Sequence, residues 1–279
     1  MSHSDDIYAV YRRQGRTPLE DIHHTHDEDY EILQTYGHGS VLIGNEIYQM
    51  SDGRVFFISP LCVHMTNPSG QFTDDSHNDI SSYVRNVVKI HRDTLHSLLD
   101  SANGGQILAL LDRQASFCLP QSAESAAVID LRIKSIADAV GKYAEIHRSV
   151  GVLELLLELF EDYSAAPIQS NHSISEKVLE YIKQNYRYRI TLDMISEAVN
   201  VSKYHLCRIF RQDTRMTITE YIIQYRLAEV KKRLITGSDP IADIAADAGF
   251  DTYTYFSALF RRREGVSPSE YRQQKQNRG

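Results

Sequence analysis

The stretch IADIAADAGFDTYTYFSALFRRREGVSPSEYR, residues 241–272, decides the fold of the C-terminal part of the chain. Ile241, Ile244 and Ala248 recur at i, i+3 and i+7, the apolar stripe of a short helix. Asp239 and Pro240 stand where an N-cap and a first helical residue belong. Gly249 follows, suited to the left-handed residue that ends a helix. A second helix from about Thr252 buries Phe256, Leu259 and Phe260. Its other face carries Tyr253, Thr254, Ser257, Ala258 and Arg261. Arg261, Arg262 and Arg263 close it, where cations favour the negative helix end and can reach phosphates. Ser267-Pro268-Ser269-Glu270 then opens a last helix as a capping box.

The same unit occurs once before. Thr191 caps a helix with the stripe Leu192, Ile195 and Val199, and Ser202 caps the next, which buries Leu206, Ile209 and Phe210. Ile195 recurs as Ile244, 49 residues on, and Phe210 as Phe260, 50 residues on. The outward face of this earlier second helix is Tyr204, Cys207, Arg208 and Arg211, with Lys203 at its start. Ile174, Val178 and Ile182 predict a helix over 174–185 ahead of it. A long helix, roughly 217–236, joins the two copies, opening with Thr217-x-x-Glu220 and closing at Gly237. Two short helices joined by a tight turn are a helix-turn-helix candidate. One basic face of that kind is ordinarily a solvated surface. Two copies on a stiff spacer point to duplex DNA, where an arginine fork pairs with guanine O6 and N7.

Charge supports this reading. The 279-residue chain has a net charge of −7, but residues 172–279 carry 18 Lys+Arg and 13 Asp+Glu, while residues 1–171 carry 12 and 24. A basic half joined to an acidic one fits a polyanionic partner for one end only. The join falls near SAAPIQSNHSIS, residues 164–175, read as a linker between domains 1–170 and 171–279. No run of 18 apolar residues is present, so no membrane partner is expected. The N-terminus has no leader pattern and Cys62, Cys118 and Cys207 form no disulfide framework; a cytoplasmic location is expected.

The quoted stretch strongly resembles the signature of the AraC/XylS family of transcription regulators, in the pattern I-A-x-x-x-G-F, then Y-F, F, G-x-x-P and Y-R. Upstream, SKYHLCRIFRQDT and YIIQYRLAEVKKRL resemble the family's first recognition helix and linker helix. The resemblance covers about 108 residues. It implies two helix-turn-helix units entering successive major-groove segments on one face of DNA. By position, base-facing residues would be Tyr204, Cys207 and Arg208 in the first unit and Tyr253, Thr254 and Ser257 in the second. Lys203, Arg211, Arg261 and Arg262 complete the expected DNA-binding set. Where several relatives place an arginine in the second recognition helix, this chain has Ala258.

The acidic half reads differently. YEILQTY, GSVLIGNEIYQM and SDGRVFFISP, between residues 30 and 60, are short apolar runs with turns at Gly39-Ser40, Gly44-Asn45 and Asp52-Gly53. They suggest an antiparallel barrel or sandwich. YVRNVVKIHRDTLHSLL, from Tyr83, supplies a final strand and a small helix. Residues 122–163 read as two helices, the first with Val128, Leu131, Ile136 and Val140 as its apolar positions. His24, His26, Glu31 and His64 resemble the metal set of cupins, with Pro60-Leu-Cys-Val-His64 departing from the usual P-x-G-x-x-H. The arrangement resembles the cupin-like sensing domain of sugar-responsive family members, which implies a small polar effector such as a sugar and dimerisation through paired helices.

The fold expected is α+β with two domains: an N-terminal cupin-like β-barrel with a helical dimerisation segment, and a C-terminal all-α domain with two helix-turn-helix units on a linker helix. The function expected is that of a transcription activator, not an enzyme, partnered by double-stranded DNA, a small-molecule effector bound by His24, His26, Glu31 and His64, RNA polymerase and a second copy of the chain. No cofactor and no metal are expected. The alternative is a metal-dependent cupin enzyme, with those four residues as its centre, tethered to DNA.

Overall fold

The computed structural model describes residues 6–14, 26–68, 83–113, 116–119, 122–160 and 173–276. Contacts divide the chain into two compact units, Met1–Ser170 and Asn171–Gly279. No helix among the described residues is long and apolar enough to cross a membrane.

The first unit is α+β. Its strands are β1 (Ile7–Gln14), β2 (Asp29–Tyr36), β3 (Gly39–Ile43), β4 (Glu46–Gln49), β5 (Arg54–Ile58), β6 (His64–Pro68), β7 (Val84–His91) and β8 (Ser116–Leu119). Its helices are α1 (Arg92–Ser101), α2 (Gly105–Arg113), α3 (Ala123–Ala137) and α4 (Ala144–Phe160). Among the described residues the expected closed barrel does not appear. The strands form two sheets instead, one ordered β1-β7-β2-β5-β8 and one ordered β4-β3-β6.

Alternation of side chains explains the layers. Along β5, Val55 and Phe57 face the helices, joining Ile32, Val88 and Ile90 against Leu95, Ile129, Ile133, Val152 and Leu155. Phe56 and Ile58 face the other way, into a core with Leu33, Val41, Ile43, Tyr48 and Val87 between the two sheets. Helices, large sheet and small sheet are therefore three stacked layers.

Several expectations need correction. Gly39-Ser40 is not a turn; Gly39 begins β3, and the turn is made by Gly37, at φ 100°. The strand after Tyr83 is not the last, because α2 and β8 follow it. In α3 the buried stripe is Ile129, Ile133 and Ile136, whereas Leu131 is exposed; Val140, also exposed, lies beyond the end of the helix. Asp130 explains the rotation of that helix. Its carboxylate accepts from Tyr11 Oη at 2.7 Å, Tyr36 Oη at 2.6 Å and Asn86 Nδ2 at 2.8 Å, and pairs with Arg12 at 3.2 Å. A carboxylate so bound turns its face of α3 onto the sheet.

The second unit is all helical: α5 (Ile174–Asn185), α6 (Leu192–Val199), α7 (Lys203–Thr214), α8 (Ile218–Thr236), α9 (Ile241–Asp247), α10 (Tyr253–Glu264) and α11 (Pro268–Gln276). Most of these starts have a local cause in a capping side chain. Ser173 and Thr217 form capping boxes with Glu176 and Glu220, and Thr191, Ser202 and Thr252 each accept a bond from the third residue on. Asp239 is not an N-cap: Pro240 holds that position without a side-chain bond, and the Asp239 carboxylate pairs with Arg233 at 3.1 Å. Ile195, Phe210, Ile244 and Phe260, the repeat positions, are all fully buried.

Candidate nucleic-acid interface and interior polar cluster

Helices α7 and α10 occupy equivalent places in the two helix pairs. Burying Leu206 and Phe210 on one side of α7 leaves Lys203, Tyr204, Arg208 and Arg211 exposed on the other, with Cys207 half-buried beside them. Tyr204 is 81% exposed, far more than a tyrosine held in a core. Arg208 Nη2 lies 3.4 Å from His205 Nδ1, and Lys203 pairs with Asp193 of α6 at 2.7 Å. That pair lies in solvent and contributes little to stability.

In α10 the buried side is Phe256, Leu259 and Phe260. Tyr253, Thr254, Arg261 and Arg262 are exposed and Ser257 is half-buried. The structure thus brings the five expected residues of each helix onto one outward surface. The spine between the pairs is α8, which touches α7 of the first pair, α9 of the second, and α11. At its end Arg233 bonds Asp247 at 2.9 Å, and Gln276 of α11 donates to the Gly237 carbonyl at 2.9 Å.

In the first unit His26, Glu31 and His64 come together, with their candidate ligand atoms within 4.8 Å of one another. His24 lies outside the described residues. Strand register places Glu31 on the inter-sheet face with Leu33, and opposite Lys89. His64 is opposite Ile43 on the small sheet. Glu31 is buried, with its carboxylate 2.9 Å from His26 Nε2, 3.8 Å from His64 Nε2 and 3.7 Å from Lys89 Nζ. His64 Nδ1 is 3.0 Å from the Cys62 carbonyl; a carbonyl only accepts, so Nδ1 carries a proton. Burial alone would raise the Glu31 pKa, but the His26 bond and the pull of His64, His26 and Lys89 outweigh it and hold the carboxyl below its usual range.

Two histidines and a carboxylate have the chemistry of a transition-metal centre. Lys89 counts against a divalent ion there, because its ammonium already answers the same carboxylate oxygen. Lys89, Tyr83, Arg85 and Thr66 were missed from sequence. Burial raises the Tyr83 phenol, which interacts with Arg85 and Thr66 and feels the charge of Glu31. Period-two spacing, Arg85-Val87-Lys89, was the signal that marks that face.

A depressed carboxyl pKa carries a pH signature. The charge-linked stability from Glu31 is present above the unfolded glutamate pKa, about 4.3, and is lost as pH falls. Glu31→Gln should therefore lower the urea midpoint at neutral pH, with a gap to wild type that closes in acid. A gap independent of pH would show that the charge contributes nothing.

Comparison with known proteins agrees with the helical unit. Residues 195–274 match the family described as "Helix-turn-helix domain". The chain is 28% identical over 185 residues to the uncharacterized HTH-type transcriptional regulator YdiP of Escherichia coli, covering 64% of this chain and 55% of that protein. It thus spans about half the length of that relative. It is 36% identical over 110 residues to the HTH-type transcriptional activator AarP of Providencia stuartii, covering 39% of this chain and 82% of AarP. It is also 36% identical over 103 residues to the regulatory protein SoxS of Salmonella typhimurium, covering 37% of this chain and 96% of SoxS. With a duplicated helix pair on a common spine and matches that cover 82% and 96% of two regulators, the chain belongs to the AraC/XylS family of transcription regulators.

Proposed function

We propose that the chain regulates transcription by reading duplex DNA with both helix pairs, α7 and α10 each entering a major-groove segment. The observation that carries this is the pair of equivalent helices whose outward faces hold Tyr204, Cys207, Arg208 and Arg211, and Tyr253, Thr254 and Ser257. Lys203, Arg261 and Arg262 stand at the edges, where phosphates pass.

The first unit is read as a sensor with the cupin-like arrangement of two facing sheets. A small polar effector, a sugar among the candidates, would meet Glu31, His26 and His64 in the inter-sheet layer. Hydroxyl groups suit a buried carboxylate that accepts and histidine and lysine nitrogens that donate. A second copy of the chain would cover the exposed apolar residues Leu131 of α3, Tyr143 just before α4, and Ile146, Val150 and Leu157 of α4. A role as activator would add RNA polymerase as a partner in the cytoplasm.

Selection of duplexes from a randomised pool with the full chain tests the DNA reading. The expected product is a bipartite site whose segments lie about one helical turn apart. Recovery of no preferred sequence, with binding that salt abolishes, would overturn it. Arg262→Ala is expected to make the dependence of log affinity on log salt shallower by about one unit, as loss of one phosphate contact requires. An unchanged slope removes Arg262 from the interface.

A further inference from the structure

Arg226 of α8 is half-buried at the meeting point of the two helix pairs. Its Nε donates to the Tyr186 carbonyl at 2.8 Å and its Nη2 to the Tyr188 carbonyl at 2.7 Å. Both carbonyls belong to the turn between α5 and α6, which leads directly into the first helix pair. The Tyr186 ring also packs on Tyr225 of α8, with centroids 5.2 Å apart. From the other side comes Gly249, in the turn between α9 and α10, at φ +88°. A Cβ on Gly249 would lie 2.4 Å from the Tyr186 carbonyl oxygen and 2.9 Å from the Arg226 guanidinium. The second pair's turn therefore rests with bare backbone on the same carbonyl and the same side chain. Asp251, two residues on, offsets part of the cost of burying that guanidinium. Beside this contact the pairs part, leaving a cleft of about 550 Å³ between Arg189–Ile190 and Phe250–Tyr255, with Ile222 and Ile223 of α8 as its floor.

We infer that Arg226 and Gly249 form a clamp that fixes the angle between the two helix pairs, and so the spacing of the two DNA segments the chain reads. This rests on the DNA reading proposed above. Without the clamp the pairs are joined along α8 and separated by the cleft, a geometry open to hinge motion. Two recognition helices must arrive about one DNA turn apart in a set phase. A hinge between them lowers affinity for the two-segment site through the cost of ordering, while each helix keeps its own contacts. Arg226 is thus a positioning residue that touches no base.

The test uses the full chain and three duplexes: the site selected by wild type, that site with one base pair inserted between its segments, and that site with the second segment scrambled. Arg226→Met is expected to lose about tenfold on the full site. It should lose nothing on the single-segment duplex and bind the full and inserted sites almost equally. Arg226→Lys, which keeps the charge and some donors, should recover part of the spacing preference. Circular dichroism reports folding; where Arg226→Met is unfolded, Gly249→Ala carries the same expectations. Equal losses on full and single-segment duplexes, or an unchanged preference for native spacing, overturn the clamp. A wild-type chain that selects no two-segment duplex overturns the DNA reading beneath it.

Discussion

Phe256→Ala is expected to destabilise the helical unit by about 3–5 kcal/mol, the usual cost of emptying a buried phenylalanine site. Phe256 is fully buried and its ring centroid lies 5.0 Å from Phe250, 5.6 Å from Phe260 and 6.0 Å from Tyr253. Phe260 in turn meets Tyr271 of α11 at 5.3 Å. The gap therefore opens inside an aromatic row that joins the turn before α10, α10 itself and α11, and rings cannot fill it without leaving their neighbours. Urea unfolding followed by far-ultraviolet circular dichroism measures the loss, in whichever transition reports the helical unit. A cost below about 1 kcal/mol would mean that the row collapses around the gap. Tyr253→Ala, three residues earlier on the same helix, is the control. Tyr253 is 44% exposed and only flanks the row, so stability should change far less, by about 1 kcal/mol or less. The two substitutions separate the buried side of α10 from the side offered to a partner.

Helix starts and stops in the second unit were legible because their causes are local. Ser173, Ser202, Thr217 and Thr252 act on backbone groups three residues away, and Gly249 is set by its own φ. Asp239 misled for the opposite reason. Its sequence position suits a cap, but Arg233 on α8, which also pairs with Asp247 on α9, draws it into a tertiary ion-pair set. The first unit was less legible. β1 escaped notice because its role depends on β7, more than 70 residues away in the chain, and because its pairing shifts between Val10 and Arg13. Asp130 reads as a polar interruption of an apolar helix until Tyr11, Tyr36 and Asn86 are placed around it. The two-sheet division was not visible either, since β3 and β5 have similar apolar content and differ only in their hydrogen-bonding partners. The polar cluster was half legible. His26, Glu31 and His64 stood out by residue type, whereas Lys89 became part of it through strand register.

The sharpest expected effect on recognition is at Arg208. It is exposed on α7, one turn after Tyr204, on the face opposite Leu206 and Phe210, and among the described residues its guanidinium meets His205 at a long 3.4 Å. A guanidinium so placed loses little on leaving its present contact. It offers a planar fork for guanine O6 and N7, a pairing worth about 1–3 kcal/mol of discrimination, or roughly 5- to 150-fold in affinity. Arg208→Ala should therefore weaken the selected site by that factor while changing affinity for random duplex at the same salt by less than about twofold. Equal losses on both duplexes would place Arg208 on a phosphate instead. The equivalent face of α10 holds Tyr253, Thr254, Ser257 and Ala258, with no cation before Arg261. Hydroxyl and methyl contacts discriminate less than a bidentate fork, so the first helix pair should bear most of the sequence preference. The second pair then contributes through its phosphate contacts and its fixed position. Base changes in the segment under α7 should accordingly cost more than changes under α10, and Arg208→Ala should erase most of that difference.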